Sequence, residues 1–143
     1  MATVNPYLTF NDNCEEAFEF YKSVFGGEYQ QMARFGDMPP TPGFEISDAA
    51  KKKIMHVSLP ISKETVLMGS DANPAMGPII IGQHLSLSVN AESKDAADRI
   101  FNSLAAGGRI TMPIADTFWG AYFGILIDKF DFIWMVSYDK VNT

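Results

Sequence analysis

The chain carries two histidines, and a strand-like alternation surrounds each of them. His56 and Ser58 share one parity, opposite Val57 and Leu59. His84, Ser86 and Ser88 share one parity, opposite Leu85 and Leu87. A neutral imidazole offers one donor and one acceptor and titrates near neutrality. Each histidine therefore reads as a hydrogen-bonded pocket or core residue, as a group that orients a ligand, or as a general base or metal ligand. Tyr7 alternates with Leu8 and adds an amphipathic ring with a polar tip. Residues 116–134 are rich in aromatic side chains, are broken by Gly120 and Gly124, and hold no histidine, cysteine or glutamate. Phe118, Trp119, Phe123 and Trp134 read either as core or dimer-interface residues or as a wall on which a ligand stacks. No catalytic group can be named from these residues.

Other chemistries fail on residue type or spacing. The pairs Gly26-Gly27 and Gly107-Gly108 follow helix-like stretches. A phosphate loop, or the glycine-rich cofactor loop of a methyltransferase, needs its glycines ahead of a helix. The 11 Lys and Arg are outnumbered by 17 Asp and Glu, for a net charge of −6. That balance excludes the basic face of a nucleic-acid binder and argues against an anionic membrane surface. Lys51-Lys52-Lys53 is a solvated charged run ahead of a strand. The single cysteine, Cys14, cannot form an internal disulfide, so a reducing compartment is expected. Neither a signal peptide nor an apolar run long enough for a membrane span is evident, so a cytoplasmic protein is expected.

The elements that position these residues fall into a repeat. Residues 4–10 alternate as a strand, and Asn11-Asp12-Asn13 supplies turn and N-cap chemistry. Ala17, Phe20, Tyr21, Val24 and Phe25 make a helical stripe that Gly26-Gly27 terminates. Strands are expected over 28–35, 54–61 and 65–70, with the loop 36–50 as a lid or a disordered segment. Asp71 ends a strand in a turn, and residues 71–82 read as a linker. The order then recurs: a strand at 83–89, a helix at 93–106 stopped by Gly107-Gly108, and strands at 109–117, 121–128 and 132–138. Each half is βαβββ, with modules over about 4–71 and 82–139 in a single domain. One four-stranded sheet with one helix leaves its other face bare. The expected fold is α+β, two βαβββ modules forming curved mixed sheets around a cavity. At 143 residues the chain buries roughly 70% of its unfolded surface without a disulfide or metal.

Four stretches carry a family resemblance. They are Pro6-Tyr7-Leu8-Thr9-Phe10 with Asn13-Cys14; Phe20-Tyr21 with Phe25-Gly26-Gly27-Glu28; Phe35-Gly36-Asp37-Met38-Pro39; and Thr117-Phe118-Trp119 through Phe123-Gly124 to Asp128-Lys129-Phe130 and Trp134-Met135. The sequence resembles PhnB-like proteins of the vicinal oxygen chelate superfamily, which includes glyoxalases, extradiol dioxygenases and bleomycin-resistance proteins. It departs where relatives have Asp-x-Phe-Gly, since this chain has Asp128-Lys129-Phe130-Asp131. Aspartate tolerates the left-handed conformation better than most residues, so the turn is expected to survive.

The resemblance implies a homodimer and a divalent metal held by the first and last strands of each half. Carried over, the metal positions fall at Asn5 or Pro6, Met68, His84 and Trp134. Only His84 is a good ligand, and zinc wants three protein donors while harder metals want oxygen. The expectation is no cofactor and a small organic molecule bound by Tyr7, His56, Met68, His84, Trp119, Phe123 and Trp134. The alternative is a metal-dependent lyase, isomerase or dioxygenase. Phosphonate binding, which the PhnB name suggests, would want arginine or lysine in the pocket.

Overall fold

The computed structural model describes residues 2–39, 42–43 and 45–139. The chain divides into two compact units, Met1–Ile80 and Ile81–Thr143. The division falls inside the segment expected as a linker.

The first unit runs β1 (Tyr7–Phe10), α1 (Cys14–Phe25), β2 (Gln31–Arg34), a 3-10 turn (Phe35–Asp37), α2 (Asp48–Lys51), β3 (Ile54–Pro60) and β4 (Val66–Asp71). The sheet order is β1-β4-β3-β2, with β1 parallel to β4 and the other pairs antiparallel. Alternation makes the sheet two-sided. Leu8, Phe10, Val57, Leu59 and Leu67 are buried, as are Cys14, Ala17, Phe18, Tyr21 and Val24 of α1. Phe18 meets Phe10 and Tyr21 edge-on at 6.0 and 5.8 Å between ring centroids. Gly69 lets this helix come close, for an added Cβ would sit 2.6 Å from the Leu8 carbonyl oxygen and 2.7 Å from the Phe18 ring.

The start of α1 differs from expectation. Asn13 is the N-cap but makes no side-chain cap bond. Asp71 serves instead: Oδ1 accepts from Cys14 N at 2.9 Å, and Oδ2 accepts from Ile54 N at 2.8 Å. A buried carboxylate needs such donors. Asp71 thereby ties the ends of β4, α1 and β3 together. The loop over 36–50 holds part of the 3-10 turn and α2, whose Ser47 Oγ accepts from Ala50 N at 3.1 Å. Pro40, Thr41 and Phe44 of that loop lie outside the described residues. The strand expected over 28–35 is shorter, since Phe35 begins the 3-10 turn.

The second unit runs β5 (Ser86–Asn90), α3 (Lys94–Ala105), β6 (Arg109–Asp116), β7 (Ala121–Ile127) and β8 (Ile133–Asp139). Its order, β5-β8-β7-β6, repeats the first unit's topology, with β5 parallel to β8. Ser93 caps α3 by accepting from Ala96 N at 3.0 Å. Ala97, Phe101 and Leu104 of α3 are buried, as are Leu126, Trp134 and Val136 of the sheet. The β7–β8 turn holds Asp131 at φ 72°, the left-handed conformation expected of it. The architecture is α+β, two four-stranded mixed sheets built from βαβββ modules. Among the described residues no helix is long and apolar enough to cross a membrane.

Candidate functional site

In the first unit, the face of the sheet opposite α1 gathers three of the expected site residues. Tyr7 pairs in register with Met68, Met68 with Ser58, and Ser58 with Gln31, so one row crosses all four strands. His56 lies two residues from Ser58 on β3. Its ring centroid is 5.8 Å from that of Tyr7, with the planes tilted by 31°. Because β4 runs between β1 and β3, the two rings meet across it. Tyr7 is 48% exposed, and His56 and Met68 are half-buried. A phenol and an imidazole side by side above a thioether provide two donor–acceptor groups and two ring faces. That set can orient a planar ligand and hold a hydrogen bond to it.

In the second unit, Trp119 and Phe123 come together as expected, at 5.8 Å between ring centroids and near edge-on. Phe118 stands 5.1 Å from Trp119 and is 97% exposed. Phe118 and Trp119 form the tip of the β6–β7 hairpin, closed by Thr117 Oγ1 donating to the Ala121 carbonyl at 2.7 Å. Phe123 pairs with Ser137 and Ala115, on the side of the sheet opposite Leu126 and Trp134. His84 precedes β5 and is exposed.

Trp134 is the correction. It is 1% exposed, and its Nε1 donates to Asp128 Oδ2 at 2.8 Å. It pairs with Leu87 and Leu126 on the α3 side of the sheet, so it is a core residue and no part of an open wall. Asp128 Oδ1 also accepts from Phe130 N and Phe132 N at 2.8 and 3.1 Å. The β8 residues of the opposite parity are Ile133, Met135, Ser137 and Asp139. Sequence reasoning missed Asp128 as an organising group, although an aspartate six residues before a buried tryptophan offers a partner for the indole N–H.

The positions carried over for a metal have other occupations. Asn5 Oδ1 accepts from Val66 N at 3.2 Å, Met68 offers only a thioether, and Trp134 is committed to Asp128. Among the described residues no group of three His, Cys, Asp or Glu could hold a metal ion. This donor set does not fit a divalent cation. Cys14 is buried, and its thiol is pushed well above the ordinary range, first by burial and then by Asp71 and Glu15. It is no nucleophile, although it opens a helix.

Residues 2–137 match the protein-family model described as 3-demethylubiquinone-9 3-methyltransferase. Protein YjdN of Escherichia coli (strain K12) is 32% identical over 146 residues, spanning 96% of this chain and 95% of its own. Protein PA1353 from Pseudomonas aeruginosa, a solved structure, is 42% identical with a TM-score of 0.86 over 99% of this chain and all 100% of its own. The PhnB protein from Bacillus cereus is 24% identical with a TM-score of 0.74, covering 96% of this chain and 99% of its own, which speaks for the fold. The chain belongs to the 3-demethylubiquinone-9 3-methyltransferase (PhnB-like) family, and its fold is the one that glyoxalase/bleomycin resistance/dioxygenase proteins share.

Proposed function

We propose that this PhnB-like protein binds a small, partly aromatic or apolar organic molecule without the divalent metal site usual in its superfamily. The observation that carries the reading is the Tyr7–His56 pair, 5.8 Å apart on a sheet face with Met68 in register beside it. The donor set at the carried-over metal positions supports the second half of the reading, since Met68 offers only a thioether and Trp134 is a core residue bonded to Asp128. The family's description names a methyltransferase, but the glycine pairs end α1 and precede β6 rather than opening a helix, so they provide no methyl-donor loop.

The reading includes a homodimer. Phe118 at 97% and Trp119 at 55% exposure, with Ile110 and Met112 of β6 also exposed, leave apolar surface in the second unit that association would cover.

Native mass spectrometry of protein purified without chelator, paired with elemental analysis, tests the reading. A co-purifying organic species and substoichiometric metal are expected. Stoichiometric metal that disappears on His84→Ala would overturn it in favour of a metal-dependent lyase, isomerase or dioxygenase.

A further inference from the structure

The segment after β4, expected as a plain linker, builds a cleft in the first unit. It is tied down at both ends. Ala72 N donates to the Phe10 carbonyl at 2.7 Å, prolonging the β1–β4 pairing by one residue. Asn11 clamps the other end: its Nδ2 donates to the Ile79 carbonyl at 3.2 Å, and its Oδ1 accepts from Ile79 N at 2.8 Å. Between these anchors Asn73 Oδ1 accepts from Ala75 N at 2.9 Å, and Gly77 takes φ 75°. The resulting strap crosses the end of the sheet and encloses an open cleft of about 420 Å³. Ligand pockets range over roughly 300–1,000 Å³.

The walls define a chemistry. Thr9 and Ser70, register partners on β1 and β4, place two hydroxyls in the cleft. Met55, Met76 and Ile79 supply apolar surface, and the Met76 side chain, on the strap, is largely uncovered, with the residue 83% exposed. Methionine is flexible and polarisable, so it moulds to irregular apolar shapes. Among the described residues no lysine, arginine or histidine lines the cleft. An anion would lose its hydration there with no cation to offset the cost.

We infer that this cleft is the ligand subsite of the Tyr7–His56 face, and that it takes an uncharged, largely apolar molecule with one hydroxyl or carbonyl for the Thr9 and Ser70 hydroxyls. Carboxylates, phosphates and phosphonates are excluded. The inference rests on the small-molecule reading above, because Thr9 and Ser70 lie two residues along β1 and β4 from Tyr7 and Met68, on the same face.

Two probes with one ring system separate charge from shape. N-phenyl-1-naphthylamine is neutral, and 8-anilino-1-naphthalenesulfonate adds only the anion. The neutral probe is expected to bind at least about tenfold tighter, and Met76→Glu, on the exposed strap, is expected to weaken it by about the same factor. Methyl NMR of the intact protein reports position: the Met55 and Met76 signals should move on titration with the neutral probe. Equal or tighter binding of the sulfonate, or no binding of either, overturns the inference. Shifts at Met68 without shifts at Met55 and Met76 overturn it too, while leaving the Tyr7–His56 reading intact.

Discussion

Two buried aspartates each tie together segments of their own module. Asp128 satisfies two backbone N–H groups and the Trp134 indole. Removing it strands three donors, two of them within or beside the core. Asp128→Ala is expected to cost about 3 kcal/mol or more in urea unfolding, with Trp134 fluorescence reporting the change. Asp71 does the same for Cys14 N and Ile54 N. Its charge, added to burial, keeps the neighbouring thiol protonated. Native protein at mildly alkaline pH should therefore resist iodoacetamide, with Cys14 alkylated only after denaturation; mass spectrometry reads the difference. Tyr122 shows a related effect at the surface. Its hydroxyl donates to Asp98, which, with some help from burial, pushes the phenol up to about 12.

At the scale of elements, helix-to-sheet distance is set by missing side chains. A Cβ at Gly124 would lie 2.7 Å from Ile114 Cα and 2.8 Å from the Phe101 ring of α3. The backbone neighbour cannot swing aside, so Gly124→Ala should destabilise by about 2 kcal/mol through overpacking, measured by thermal unfolding. In the first unit, Arg34 of β2 grips Glu15 of α1 through two bonds, at 3.0 and 2.7 Å. The hydrogen bond from Arg34 holds the Glu15 carboxyl below its ordinary value of 4.5. A depressed folded-state pKa contributes stability above the unfolded value and loses it as pH falls through the folded one. Glu15→Gln should thus lower stability at neutral pH by less than about 1 kcal/mol, since the pair is largely exposed. The gap to wild type should close as the pH drops below 4.5, which pH-resolved denaturation would show.

The whole molecule presents apolar surface that a lone chain leaves in water. Under the dimer reading, sedimentation equilibrium should give twice the 15.8 kDa chain mass. Phe118→Ser should shift the population toward single chains at micromolar concentration without changing the far-ultraviolet spectrum, because the side chain is 97% exposed and packs into no core. A dimer indifferent to that substitution would place the contact elsewhere.

Periodicity and punctuation are local signals, and they determined the repeat. The stops at Gly26 and Gly107, both at φ 78°, and the cavity parity of Tyr7 and His56 follow from residues close in the chain; Met68 came from the family resemblance, and on α1 it is Phe18 that is buried while the expected Phe20 and Phe25 are half-buried. The left-handed Asp131 was legible through the resemblance, since it stands where the Asp-x-Phe-Gly pattern has glycine. Trp134 was not. Both parities of β8 are apolar at its start, so no amphipathic contrast says which side faces α3. Only the pairing with Leu126 and the waiting Asp128 carboxylate decided it. The cap of α1 escaped for a related reason, because its acceptor, Asp71, lies 57 residues away from the donor. The cleft under residues 72–79 needed Asn11 and Ile79, 68 residues apart, to meet. Secondary structure and face assignment rest on near neighbours along the chain. Caps, buried polar pairs and cavities are made where distant segments cross, and only the folded chain brings those together.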